Sequence, residues 1–159
     1  MKYLLSLILF LSLFSCGGDD SKKEKEYIDS GNKKMEKEDY TGAIEDFTKA
    51  TEINPDNADA YYYRAFAKDN LMDYPAAIED YSKAIKLNPN YTEAYYNRGF
   101  AKYYLGNYEE AIIDFTKAIE LNPNDAWYYK ARKIAKENLG DIEGAAADEE
   151  MYQKLKVDE

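Results

Sequence analysis

The sequence predicts an all-α protein built as a stack of paired antiparallel helices. Three observations lead there. Pro55, Pro89 and Pro123 stand 34 residues apart, each inside Asn-Pro-Asp or Asn-Pro-Asn. Set on this period, residues 58–91 and 92–125 agree at 19 of 34 positions. The residue before a proline avoids the α region, so each Asn-Pro ends one helix, and Thr92 or Asp125 is placed to cap the next. A period of this length belongs to a helix–turn–helix unit that cannot bury its apolar faces alone and must stack on its neighbours.

Length and composition narrow the function. The 159 residues suffice for one domain. There is no histidine, which removes the commonest general base and the commonest metal ligand. One cysteine cannot form an internal disulfide. A formal net charge of −10 argues against nucleic acid, whose phosphates demand a basic surface. No catalytic constellation and no glycine-rich phosphate loop is present. Asp56-Asn57-Ala58-Asp59 lacks the spacing and glutamate of a calcium loop and reads as a turn with a helix cap. No metal, cofactor or enzymatic activity is expected.

The first element is a leader, residues 1–15. Lys2 precedes an apolar run from Tyr3 to Phe14, the length of a signal peptide and short for a membrane span. It closes on Leu13-Phe14-Ser15-Cys16, which resembles a bacterial lipobox. That resemblance implies a lipid on Cys16 and cleavage before it, and two or three acyl chains would anchor the protein stably. Gly17-Gly18-Asp19-Asp20-Ser21 follows. It lacks the aspartate next to the cysteine that retains lipoproteins in the inner membrane. It is similar to the surface-export signal of Bacteroidota lipoproteins, which implies the outer membrane, with the cell surface favoured over the periplasmic face. Residues 16–23 are expected to form a lipidated tether.

The repeats follow at 24–57, 58–91 and 92–125, then a degenerate fourth copy at 126–155 and a tail at 156–159. Tyr27, Tyr61, Tyr95 and Tyr129 recur, as do Ala43, Ala77, Ala111 and Ala145. Gly31, Ala65 and Gly99 recur, as do Phe47, Tyr81 and Phe115, and Ala50, Ala84 and Ala118; the small residues are expected to let two helices approach and the rings to fill the space around that contact. With the prolines, this pattern closely resembles the tetratricopeptide repeat. The resemblance implies a right-handed superhelix of antiparallel helix pairs, here called A and B. Lys133, Glu149 and Tyr152 depart from the pattern where an end cap would face water. Leu71, Leu105 and Leu139 are expected to close the turn side, and Gly106 and Gly140 to stop helices.

Charges repeat as well. Arg64, Arg98 and Arg132 share one position, Lys34, Lys68, Lys102 and Lys136 lie one turn later, and Asp46, Asp80, Asp114 and Asp148 sit on helix B. A chemical site is rarely copied down a stack, whereas a packing device is. These residues are expected to form a structural ladder linking helix A to helix B, or one repeat to the next.

The aromatic excess is what remains. In Tyr95-Tyr96-Asn97-Arg98-Gly99-Phe100-Ala101-Lys102-Tyr103-Tyr104, Tyr95 lies on the packing stripe, while Tyr96, Phe100, Tyr103 and Tyr104 lie beside it at 100° per residue. In the resembling family, helix A lines the inner surface. The corresponding residues here are Tyr62, Tyr63, Phe66 and Asn70, then Tyr96, Asn97, Phe100, Tyr103 and Tyr104, then Trp127, Lys130 and Asn138. Tyrosine and tryptophan offer contact area at low entropic cost. The expected partner is therefore a protein or peptide, bound by a lipid-anchored envelope scaffold. The alternatives are a periplasm-facing assembly or pilotin-type subunit and a carbohydrate-binding surface lipoprotein. The rings could also serve only to pack against one another. The carboxylate clamp by which some family members hold acidic chaperone tails is absent: Asn32 matches it, but Ile28, Tyr63, Glu93 and Asn97 do not. A basic or neutral partner suits this chain better.

Overall fold

The computed structural model describes residues 4–157, with side chains from 19 to 156. Eight helices and no strand occur among them: α1 (Leu4–Met35), α2 (Tyr40–Ile53), α3 (Ala58–Asn70), α4 (Tyr74–Leu87), α5 (Thr92–Tyr104), α6 (Tyr108–Leu121), α7 (Ala126–Leu139) and α8 (Ile142–Val157). Each helix packs on the next in sequence. The A helices (α1, α3, α5 and α7) also approach one another from repeat to repeat, and the B helices do not. The stack therefore curves with its A helices on the inner side. The result is an all-α solenoid.

The junctions obey the prolines. Asn54, Asn88 and Asn122 leave their helices in extended conformations, with φ of −128°, −129° and −139°. Each side chain then accepts from a backbone N–H two residues on, Asp56, Asn90 or Asn124. Asn57 and Asp125 cap α3 and α7. Thr92 does not cap α5. It lies inside the helix, Tyr91 takes the cap position without a side-chain bond, and the Thr92 hydroxyl turns back to the Asn90 carbonyl at 3.5 Å.

The turn inside each repeat has its own constraint. Its fifteenth residue is left-handed in all four copies: Glu38 (φ 60°), Met72 (61°), Gly106 (80°) and Gly140 (83°). Only the glycines adopt this without a Cβ penalty. Leu71, Leu105 and Leu139 stand beside these turns and are partly exposed, so they do not close them as expected.

The core is a layer of alanines and rings between A and B helices. Phe47, Tyr81 and Phe115 are fully buried. A Cβ on Gly31 would meet Phe47 Cε1 at 2.6 Å, and one on Gly99 would meet Phe115 Cε1 at 2.7 Å. The fourth repeat replaces this contact with an ion pair, Lys133 to Glu149 at 2.9 Å, which tolerates water at the end of the stack.

At the other end α1 runs through the stretch expected to be a tether. Residues 16–23 are helical, and Lys23–Asp19 (2.7 Å) and Lys22–Glu26 (3.8 Å) pair along this helix at i,i+4 spacing. Glu24, nearly buried, accepts from Asn54 and Asn57, which fastens α1 to the first Asn-Pro junction. The Cys16 side chain, and with it the lipidation expected there, lies outside the described residues. Among the described residues no helix is long and apolar enough to cross a membrane.

The charge ladder is continuous. Arg98 donates from Nε and Nη2 to the two oxygens of Asp114 (2.9 and 2.7 Å), and its third nitrogen reaches back to the Ser82 hydroxyl at 2.9 Å. Arg64 does the same with Asp80 and with Thr48 and Thr51, and Arg132 with Asp148 and Thr116. Lys68, Lys102 and Lys136 add a second cation to the same carboxylates at 2.7, 2.7 and 2.9 Å. The ladder thus joins A to B and each repeat to the one before it. Repeat one has no predecessor, and Ser30 stands where the arginine would, donating to Asp46 at 2.7 Å. Burial pushes the Asp46 carboxyl up, but hydrogen bonds from Lys34 and Ser30 outweigh it and hold it below its ordinary value.

Two stability outcomes follow. Met72→Gly, at an exposed left-handed turn, is expected to raise unfolding free energy by about 1 kcal/mol in urea titration; a loss would show that φ at this turn is not strained. Arg98→Ala strands Asp114, which is 1% exposed and keeps only Lys102. It is expected to cost about 3 kcal/mol. Arg98→Lys should recover little, because an ammonium cannot serve both carboxylate oxygens and Ser82. An unchanged melting temperature for Arg98→Ala would refute the ladder.

Candidate partner-binding face

The inner face is built by α3, α5 and α7, and its aromatic residues divide into two sets. One set forms a floor. Tyr62 packs on Tyr91 (ring centroids 4.8 Å), Tyr63 and Tyr81, and its hydroxyl accepts from Asn97 Nδ2 at 3.0 Å. Tyr96 packs on Phe100 (4.9 Å), Tyr128 (4.8 Å) and Phe115. Burial pushes both hydroxyls up to about 12. Tyr63 turns toward repeat one and stacks on Phe47. Tyr103 packs on Tyr108, and its hydroxyl accepts from Asn138 at 3.2 Å. The Asn97–Tyr62 and Asn138–Tyr103 bridges both join residues 35 apart, one A helix to the next. These tyrosines hold the stack together as well as lining it.

The other set is open to solvent. Phe66 is 39% exposed, Tyr104 60% and Trp127 53%. They border two recesses. Tyr96, Phe100, Trp127, Lys130, Ala131 and Ile134 enclose about 150 Å³ between α5 and α7. Lys130 lies over the Trp127 ring at 4.7 Å and over Tyr152 at 5.4 Å. Phe66, Asp69, Asn70, Met72, Tyr74 and Tyr104 enclose about 240 Å³ between the ends of α3 and α5. A larger recess, about 400 Å³, lies around Arg98 and Asp114, whose charges already satisfy each other.

The structure thus brings Phe66 and Tyr104 to one recess, and Tyr96, Phe100 and Trp127 to the other. Tyr62, Asn97 and Tyr103 are engaged between repeats, and Tyr63 faces away from both. Four contributors were missed by sequence reasoning: Asp69, Tyr74, Tyr91 and Tyr128. Asp69 occupies the twelfth position of its repeat, the position of Tyr103 in the next, so the periodic alignment held the signal. Tyr74 begins α4 and stacks on Tyr104 at 5.1 Å. Asp69 Oδ1 is buried without a hydrogen-bond partner, and burial raises its carboxyl to about 6. Among the described residues no cluster of three acidic or cysteine side chains could hold a metal ion.

Comparison with known proteins agrees with this architecture. Residues 92–125 match a family model described as tetratricopeptide repeat, and 31–69 and 73–106 match a second described as TPR repeat. The first TPR of Spaghetti (RPAP3) bound to the HSP90 peptide SRMEEVD is 32% identical, covering 76% of this chain and 95% of that one, with TM-score 0.74. A crystal structure of MamA superimposes with TM-score 0.83 at 25% identity, over 85% of this chain and 79% of that one. The Arabidopsis OM64 TPR domain gives 0.72 at 28% identity, over 74% and 98%. No curated protein sequence matches.

Asp69 supplies a pH test. Its raised value means that the folded state binds this proton more tightly than the unfolded chain does. Its ionisation therefore costs stability above about pH 6, and the cost disappears as pH falls toward the ordinary 3.8. Asp69→Asn is expected to melt higher than wild type at pH 7, with the gap closing between pH 6 and about 4. A gap independent of pH would refute the assignment.

Proposed function

We propose, from the premise that the chain belongs to the tetratricopeptide repeat family, that it is a lipid-anchored adaptor of the bacterial envelope. It binds an extended peptide or a helix of another protein on its inner face. The observation that carries this reading is the division of the aromatic residues. Packing between repeats leaves Tyr62, Tyr96 and Tyr103 only half exposed, whereas Phe66, Tyr104 and Trp127 border recesses while remaining open to solvent, even though Tyr104 also stacks on Tyr74 of the preceding repeat. A protein-binding scaffold is the common use of this fold, and the RPAP3 repeat domain holds a peptide.

The anchor rests on Leu13-Phe14-Ser15-Cys16, and outer-membrane residence, with the cell surface favoured, on the residues that follow. Attachment would keep the inner face near the membrane, where envelope or secreted proteins are the available partners. An assembly or pilotin-type subunit would use the same face from the periplasmic side. Protease shaving of intact cells separates these two placements.

One experiment tests anchor and groove together. Cells are fed an alkyne fatty acid and crosslinked. Wild type is expected to carry the label and one dominant crosslinked partner. Cys16→Ala should lose the label. Phe66→Ala/Tyr104→Ala/Trp127→Ala should keep label and fold but lose most of the partner, since each exposed ring contributes on the order of 1 kcal/mol or more at such surfaces. A labelled triple variant with an unchanged partner refutes the groove, and an unlabelled wild type refutes the anchor.

A further inference from the structure

Four buried carboxylates of this fold, Asp46, Asp80, Asp114 and Asp148, meet lysine or arginine at 2.6 to 2.9 Å. Asp69 does not. Its Oδ1 is buried without a hydrogen-bond partner, and the residues around its recess include no lysine or arginine. The nearby Asn70 amide does not serve it: Nδ2 donates to the Phe66 carbonyl at 2.8 Å instead. Asp69's charge also acts on the Tyr74 and Tyr81 hydroxyls. Tyr81 is fully buried and its hydroxyl has no partner either.

The walls are suited to a cation. Tyr74 and Tyr104 stack at 5.1 Å, Phe66 and Tyr104 offer exposed ring surface, and Met72 stands at the rim. Aromatic faces attract ammonium and guanidinium groups, and the charge of Asp69, which lines the same recess with its Oδ1 closed to solvent, adds to that attraction. The recess of about 240 Å³ has room for the end of one long side chain.

We propose that the recess formed by Phe66, Asp69, Tyr74 and Tyr104 receives a lysine or arginine side chain of the partner. The proposal rests on the inner face being the binding face, and gives that face a charge preference. The sign is opposite to that of a site for acidic tails. The occupant neutralises Asp69, and its aliphatic stem lies against the rings.

Two measurements on the full chain in a non-ionic detergent test it separately from the groove. First, the Asp69 carboxyl is titrated by carbon NMR in sodium chloride, n-butylammonium chloride or n-propylguanidinium chloride at equal ionic strength. The organic cations are expected to lower its midpoint by about one pH unit relative to sodium. They should also shift the Phe66 and Tyr104 ring signals, and Asp69→Asn should abolish these ring shifts. Equal midpoints in all three salts, or ring shifts that survive Asp69→Asn, overturn the proposal. Second, random peptides displayed on phage are selected on wild type and on Asp69→Asn. Wild type is expected to enrich a lysine or arginine at one fixed position. Asp69→Asn should lose that preference and bind the wild-type peptides about tenfold more weakly, the loss of one charge-assisted contact. Peptides that bind without a basic preference overturn the proposal and leave the groove standing. A lowered Asp69 midpoint with no peptide selected supports the cation site and counts against the groove.

Discussion

The rest of the structure depends on a carboxylate buried in each B helix. A buried aspartate must be met by charge and by hydrogen bonds, or it destabilises the fold. The arginine on helix A meets it with two nitrogens of a rigid fork, which leaves the third aimed at the preceding repeat. In Arg98 that nitrogen finds Ser82, and in Arg132 it finds Thr116. One side chain thus fixes the separation of A from B and the rotation of one repeat against the next. Exchanging a buried ion pair for apolar groups is often neutral or stabilising, so the ladder acts chiefly by setting register. The alanine and aromatic layer beside it supplies the apolar burial. Ser30 makes the same point by exception, because repeat one has nothing behind it to register against.

A stack held in this way decides what its inner face can present. Neighbouring A helices come close enough for rings on one to touch rings on the next, as Tyr96 touches Tyr128. Asn97 and Asn138 tie the Tyr62 and Tyr103 hydroxyls across the same interval. Half-buried tyrosines with fixed hydroxyls make a rigid floor, which limits the entropy lost when something binds on it. Phe66, Tyr104 and Trp127 stand at the margins of that floor, where a ligand can reach them.

The fold was legible because it repeats. Period, prolines, small residues and the Arg–Asp spacing each appear several times, so every copy corroborates the others. Features that occur once were harder to read. Residues 16–23 have the composition of a tether, yet they are helical and continue into the first repeat. Thr92 has the chemistry of a cap, but the helix starts one residue too early for it to act as one. The division of the aromatic residues was out of reach for another reason. Helical geometry places Tyr96 and Tyr104 on one arc of α5, but their exposure depends on Tyr128 of α7 and Tyr74 of α4, each about thirty residues away in the chain from the ring it meets. Asp69 was hidden by the alignment itself, since an acid where the next repeat has tyrosine looks like ordinary variation.

That variation gives the inner face a direction. Asp69 lies in the recess between α3 and α5, with no lysine or arginine among the residues that line it. Lys130 lies at the recess between α5 and α7, held over Trp127 and Tyr152. Between them runs the uncharged floor of Tyr96 and Phe100. A ligand laid along these residues meets opposite charges at its two ends, so reversing it would set like charges together at both. The peptide held by the RPAP3 domain carries two adjacent glutamates before its C-terminal Val-Asp. Such a sequence would meet Asp69 if it ran one way, and here it would find no clamp to hold it. One aspartate outside the ladder therefore does more to set the charge of this inner face than the many tyrosines that first draw attention to it.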